Sequence, residues 1–434
     1  MIYLDHAAAT PVADKVLKAM EPYFGELFFN PSAAYLPAKE VLADYEKAKG
    51  VIAHGVGAKI SDLVITAGAT EANNLAFTAI GTEHMLRSGS RRSRPSLETS
   101  LPRSEIRASS DFSRFVASSP RGERANSRAA ALRNTPSQSI CSALYLETEH
   151  DSVRRVAEQY GGQAIKVLPS GLIDLEDLKS KITDEVQLIS ISLANNELGT
   201  IQPLAEIAAI IREVKIDRMK RGIKTQLLLH SDASQALNLL DINVARLGVD
   251  LLTLNAAKVY GPKGVGALYV SHDASLSPLT VGGGQERGLR SGTENVPGVI
   301  GFAKAMELAK KHLNGNRKKY TTWRKILLAE LKDYELINKK HSLDNFVVVS
   351  FPGLDAERLI FALEEKVVYV ATGAACAASK GEKSHVLKAI GLDDTQIAGS
   401  LRITFGETND ETQIHEAAKI INEVTMKERA RING

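Results

Sequence analysis

Short apolar runs alternate with amphipathic helical stretches through most of this chain, and that alternation leaves few folds open. "DLVIT" (62–66), "ALYLE" (143–147), "VQLISIS" (186–192), "QLLLHSD" (226–232), "DLLTL" (250–254) and "GALYV" (266–270) read as strands. Patterned helices precede and separate them: "VADKVLKAMEPYF" (12–24), "AKEVLADYEKAKGVIAHGV" (38–56) and "LAEIAAIIREVKIDRMKRG" (204–222). Apolar strands alternating with such helices predict an α/β fold, a mainly parallel sheet covered by helices on both faces. Ligands of such sheets gather at the carboxyl ends of strands. Several polar clusters of this chain fall there.

From about residue 313 the texture changes. A long charged helix ("NRKKYTTWRKILLAELKDY") precedes "NFVVVSFPG", the helix "DAERLIFALEEK" and "SLRITFGETNDETQIHEAAKIINEV". This predicts a large domain over 14–312 and a smaller α+β domain from 1–13 and 313–434. Cys141 and Cys376 are the only cysteines, too few for a disulfide framework, so a reducing compartment is expected. "MIYLDHAAATP" enters a strand-like run at once, which predicts no secretory leader. No uncharged apolar run approaches the about 18 residues of a membrane span. A soluble cytoplasmic protein is expected.

Residues 86–142 break the pattern. They hold eleven arginines against four acids, fifteen serines and no lysine. The net charge of +3 comes from this block, because the rest of the chain is net acidic. A nucleic-acid reading would rest on the block alone, and no direct nucleic-acid contact is expected. With no lasting period and little apolar surface to offset the cost of ordering, it is predicted to be a disordered insertion between a helix and a strand.

The remaining motifs carry chemistry. Lys258 follows the strand "LLTLN", where it is either a solvated loop lysine or a desolvated amine fit to form a Schiff base. Asp232 ends another strand, with Gln235 three residues on. Such a carboxylate caps a helix or pairs with a protonated pyridine nitrogen. Gly68, Ala69, Thr70 and Glu71 sit at a strand-to-helix turn, which is a capping box or a phosphate cradle. His150 follows a strand as either a structural histidine or a proton shuttle. Asn195, Asn196 and Glu197 follow another strand. Arg402 lies on a short apolar strand and needs an anion, either a structural partner or a bound carboxylate. "VGGGQERGLRSGTENVPG" (281–298), with Thr293, suits anion binding or a close subunit contact. Cys376 stands in "ATGAACAAS", whose small side chains make a poor core but leave a loop able to swing.

Together these stretches resemble the cysteine desulfurases, pyridoxal-phosphate enzymes of the class V aminotransferase group. The matching segments are "LDHAAATPV", "NPSA", "GATEANNLAF", "EHDSV", "ANNELGTIQP", "HSDASQA", "KVYGPKGVGALYV", "GGGQERGLRSGTENV", "GAACAAS", "SHVLKAIG" and "LRITFG". The resemblance implies the type I fold of pyridoxal-phosphate transferases and, from the spacing between Cys376 and "SHVL", the long-loop subgroup serving iron–sulfur assembly and tRNA thiolation. It implies that Lys258 holds the cofactor covalently and then acts as acid and base. Asp232 would pair with the ring nitrogen, Gln235 with the ring oxygen, and His150 would lie over the ring. Thr70 and Ala69 would bind the phosphate with Asn255, joined by Thr293 from the other subunit of a homodimer. Asn196 and Arg402 would hold the carboxylate of L-cysteine. Cys376 would take the sulfur as a persulfide and pass it to an acceptor protein, an iron–sulfur scaffold or a tRNA-thiolation protein. No metal is implied. The weighed alternatives are a related lyase acting on selenocysteine or cysteine sulfinate, and a catalytically weak sulfur-transfer scaffold.

The chain departs from the family pattern at the cofactor lysine, where Ser-x-His-Lys is usual. Here Asn255 replaces the serine and Ala257 the histidine. Asn255 retains an amide donor and Ala257 retains none. Losing one bond to a charged group costs about 1.5–3 kcal/mol, roughly ten- to a hundred-fold in affinity, so weaker cofactor binding is expected. Tyr35 and Ala67 are smaller departures, replacing a histidine and a serine. Deleting residues 88–140 is expected to leave activity and solubility intact, measured on the purified deletion variant; a collapse of folding would give the block a structural role.

Overall fold

A computed structural model describes residues 1–81, 142–372 and 383–433. All of the Arg/Ser-rich block but Ser142, and Cys376 with its neighbours, lie outside them. Three sheets are present among the described residues. The largest has seven strands: β2 (Leu63–Thr66), β3 (Ala143–Leu146), β4 (Gln163–Ile165), β5 (Leu188–Ser190), β6 (Leu228–Asp232), β7 (Leu251–Asn255) and β8 (Gly266–Val270). Their order across the sheet is β2-β8-β7-β6-β5-β3-β4. β7, β6, β5, β3 and β4 are parallel neighbours, while β8 runs antiparallel to both β2 and β7.

Alternate residues of each strand enter opposite layers of core. Leu63, Ile65, Leu144, Leu146, Ile189, Leu229, Leu252 and Leu254 pack in one apolar cluster. Val64, Ala143, Tyr145, Leu188, Leu228, Leu251 and Leu268 pack in the other. This is why the strands read as continuous apolar runs: neither face meets water. Helices α1 (Asp14–Met20), α2 (Leu36–Gly55), α3 (Ala69–Phe77), α4 (Asp151–Gln159) and α5 (Leu204–Lys220) supply much of the cover.

The long helix expected from Asn316 begins twenty residues earlier, as α6 (Val296–Glu330). Its start was disguised by glycines. Gly301 lies where Met20 packs so closely that a Cβ would come within 2.6 Å of its sulfur. Asn295 caps the helix by accepting from the Gly298 amide. Position 313, where the sequence changes texture, falls inside this continuous helix.

A second, antiparallel sheet has the order β12-β13-β10-β9, from β9 (Glu335–Leu336), β10 (Phe346–Ser350), β12 (Ala371–Thr372) and β13 (Ser400–Thr404). Helices α7 (Ala356–Glu364), α8 (His385–Ala389) and α9 (Glu411–Asn433) belong to the same stretch of chain. The first strand, β1 (Ile2–Tyr3), pairs with β11 (Val368–Tyr369). The chain then bridges from Asp5 to Thr404 on β13, which delivers Ala7 and Ala8 to the edge of the large sheet. Among the described residues no helix is long and apolar enough to cross a membrane.

One close approach joins fold to site. A Cβ on Gly266, at the start of β8, would lie 2.7 Å from the Leu254 carbonyl oxygen and 2.8 Å from the Gly68 backbone. Both neighbours are backbone and cannot rotate away. Gly266→Ala is therefore expected to destabilise the protein by about 1–3 kcal/mol, read as a lower midpoint of thermal or urea unfolding.

Candidate functional site

Five strands of the large sheet deliver polar residues to one edge. β2 ends at Thr66 and leads into α3 through Gly68. β3 leads to Glu149 and His150, β5 to Ser192 and Asn196, β6 ends on Asp232, and β7 ends on Asn255 just before Lys258. A cavity of about 640 Å³ opens there, lined by Ala69, Thr70, His150, Asn196, Asp232, Gln235, Asn255, Lys258 and Arg402. Of the described residues to which the resemblance gives a role, the structure thus brings together all except Thr293, which is exposed and outside this cavity. Cys376 lies outside the described residues.

Local bonds set each side chain. Lys258 Nζ donates to the carbonyls of Ala7 (2.7 Å) and Ala8 (2.6 Å), so the amine points to the delivered N-terminal segment. Thr10 stitches the same two stretches: its hydroxyl donates to the Ala257 carbonyl and accepts from the Tyr260 amide. Asp232 accepts from Asn73 Nδ2 through one oxygen (2.9 Å) and from the Ser234 amide through the other. It closes a turn and caps no helix. Gln235 Nε2 donates to Ala7 O at 3.0 Å, and Asn255 Oδ1 accepts from the Ala257 amide at 3.2 Å.

Thr70 does not form the capping box considered above: Gly68 is the N-cap of α3, and Thr70 sits exposed in the first turn. Glu71 instead accepts from the Ala67 amide and pairs with Arg290 at 2.9 Å. His150 is the cap of α4, its Nδ1 accepting from the Ser152 amide at 3.1 Å. An Nδ1 that accepts leaves the proton of the neutral ring on Nε2. The structural and functional readings of His150 are therefore compatible. Arg402 does have a structural partner, Asp5, at 2.7 Å, and its other nitrogen donates to the Asn196 carbonyl at 2.8 Å. Its buried Nε has no partner.

Two acids on the cavity wall were given no role from sequence. Glu149 is fully buried; one oxygen accepts from the Ser192 amide at 2.5 Å and the other has no partner. Burial, with the nearby charge of Asp232 adding to it, pushes its carboxyl up to about 8. Glu197, also buried, is pushed up by burial to about 7, against the pull of the Ser384 hydroxyl and the Arg402 charge. The sequence did carry a signal for both: a carboxylate in the turn after an apolar strand, beside His150 in one case and Asn196 in the other. Asn73 was also missed. It bridges Ser152 and Asp232 from the buried face of α3.

The donor set fits pyridoxal phosphate. An amine, a carboxylate for a ring nitrogen and a helix start bearing a threonine line one cavity, and Ser234 Oγ, Glu149 Oε2 and Arg402 Nε are buried there without partners. Among the described residues no group of His, Cys, Asp or Glu is suited to hold a metal ion.

Comparison with known proteins agrees with this architecture. Residues 2–91 and 122–416 match the family described as Aminotransferase class-V; the interval they leave falls inside the Arg/Ser-rich block. The chain is 32% identical to the cysteine desulfurase IscS of Methanosarcina thermophila, over 99% of this chain and 93% of that one. It is 33% identical to the cysteine desulfurase IscS of Neisseria meningitidis serogroup C, over 97% and 91%. Among solved structures it resembles a NifS-like protein with TM-score 0.79 and 28% identity, covering 98% and 99% of the two chains. It also resembles SspA in complex with cysteine, with TM-score 0.71 and 29% identity over 93% and 99%.

The raised Glu149 carboxyl has a measurable consequence for stability. The folded protein keeps a proton there that the unfolded chain releases above its ordinary carboxyl range. The folded state thus binds more protons between about pH 4.5 and 8, and stability falls as pH rises through that window. Glu149→Gln removes the titration. The unfolding midpoint of the variant is expected to gain on that of the parent as pH rises from 5 to about 8, followed by calorimetry across pH; a constant difference would show that the site is ionised throughout.

Proposed function

Because the chain belongs to the class-V aminotransferase family, we propose that it is a pyridoxal-phosphate-dependent cysteine desulfurase, converting L-cysteine to L-alanine and leaving the sulfur on Cys376 as a persulfide. The observation that carries this reading is the convergence of Lys258, Asp232, His150, Thr70, Asn196 and Arg402 on one cavity. The full-length similarity to cysteine desulfurases supports it.

When bound, pyridoxal phosphate supplies an electron sink that loosens bonds at the α and β carbons of an attached amino acid. Lys258 would carry it through Nζ, leaving the Ala7 and Ala8 carbonyls, and would then move the proton of the substrate α carbon. Asp232, fixed by Asn73 and Ser234, would hold the proton of the ring nitrogen. Gln235 would donate to the ring oxygen. Thr70 and Ala69 at the start of α3, with Asn255, would hold the phosphate. His150 would present Nε2–H over the ring. Arg402 and Asn196 would grip the substrate carboxylate. The thiolate of Cys376 would attack the substrate sulfur; the Cβ–S bond breaks, an S–S bond forms, and a proton goes to Cβ. No external oxidant is needed.

Four extensions complete the proposal. Thr293 would serve the phosphate site of the partner in a homodimer, in keeping with its place outside its own cavity. The persulfide would pass to an iron–sulfur scaffold or a tRNA-thiolation protein, in a cytoplasmic setting. The first thirteen residues and those from 313 onward would act as the smaller domain, with α6 spanning the boundary. Ala257 would weaken cofactor retention, since its side chain offers no hydrogen bond.

The test is an absorbance spectrum followed by a cysteine-dependent assay. The protein is expected to purify yellow and to release sulfide and alanine from L-cysteine under reductant. Cys376→Ala is expected to stay yellow and lose sulfide release; sulfide release that survives would favour the lyase reading. Lys258→Ala should lose the visible band of the lysine-bound cofactor. A colourless protein inert toward cysteine would leave the scaffold reading.

A further inference from the structure

Glu197 is a buried acid with a specific tie. Its Oε2 accepts from the Ser384 hydroxyl at 2.5 Å, and that hydroxyl also accepts from the Leu387 amide at 3.0 Å to cap α8. A second tie lies beside it: His385 Nε2 donates to the Glu149 carbonyl at 3.0 Å. Leu198 packs with Val386, Leu387 and Ile390 of the same segment in a small apolar cluster. Residues 384–387 are therefore fixed to the turns that also present His150 and Asn196.

The turn bearing Glu197 is itself rigid. Asn195 Oδ1 accepts from the amides of Glu197 and Leu198, both at 2.8 Å, and Asn195 Nδ2 donates to the Thr148 carbonyl. Arg402 donates to the neighbouring Asn196 carbonyl. A short bond from a hydroxyl to a buried carboxylate is among the stronger hydrogen bonds of a protein interior. Helix α8 has only five residues, too few to hold its own direction, so the outside tie sets where it starts. Ser384 follows Cys376 by eight positions in sequence.

We propose that Glu197 is a positioning residue for sulfur transfer, holding Ser384, eight positions after Cys376 in sequence, against the substrate-carboxylate wall formed by Asn196 and Arg402. The proposal rests on the desulfurase reading and deepens it: Glu197 acts through Ser384.

The experiment uses the full-length holoenzyme in a Cys141→Ser background, which leaves Cys376 as the sole cysteine. Glu197→Ala and Ser384→Ala are each expected to change the rate of iodoacetamide labelling of Cys376 by at least about threefold and to lower kcat for sulfide release by about tenfold, with KM for cysteine within about twofold. The cofactor spectrum and the affinity of the apoprotein for pyridoxal phosphate should stay at parent values. The double variant should be no worse than either single one, because both remove the same bond. Glu197→Gln and Ser384→Thr, which keep the acceptor and the hydroxyl, should restore labelling and turnover. Effects that multiply in the double variant, or parent-like labelling in folded Glu197→Ala, would overturn the proposal. If Glu197→Ala does not fold, the contrast between Ser384→Ala and Ser384→Thr decides it. A parent that releases no sulfide would sink the desulfurase reading, while the labelling rates would still report on the Glu197–Ser384 tie.

Discussion

Parallel strands release their chains at the same edge of a sheet, and this directional constraint organises the molecule. β3, β5, β6 and β7 each end within a few residues of a polar group that would be out of place in a core: His150, Asn196, Asp232 and Lys258. The apolar layers on both faces hold the strands in register, and short bonded turns such as that of Asn195 carry the groups on from the strand ends. Even β8, the one antiparallel member, serves this edge, because its glycine at 266 lets the backbone of Gly68 approach and the start of α3 settle against the sheet.

Charge within the edge is arranged with little waste. Lys258 donates to two backbone carbonyl oxygens, which keeps the amine placed. Arg402 is paired with Asp5 but retains a buried nitrogen without a partner. Glu149 would add a negative charge beside Asp232 if ionised; burial raises its carboxyl, as it raises that of Glu197.

Much of this was legible from sequence, and the limits have physical reasons. The strands were visible because they are buried on both faces, and the site residues because motif and strand end coincide. Strand direction was not legible: "GALYV" looks the same in either sense. The start of α6 was hidden by glycines whose purpose is close packing against Met20, a contact made across the fold. The capping box around Thr70 was a sound local reading that tertiary structure replaced, since Glu71 found Arg290 more than two hundred residues away. Asn73 and Ser384 act through partners remote in sequence, which no local pattern encodes. The ion pair of Arg402 with Asp5 was open as a class of partner but not as a residue.

The N-terminal strand has a consequence for synthesis. Residues 2–8 are made well before the groups that seat them: Lys258 for the two carbonyls, then β11 and Thr404 on β13. The Ala7 amide and the Thr404 hydroxyl are separated by 397 positions. Contacts so distant along the chain form late and slowly, so residues 2–8 must wait for β13 before they are seated. A nascent chain therefore cannot seat the segment that carries the lysine's two carbonyl partners until residue 404 has emerged, and a product stopped short of it would lack that support.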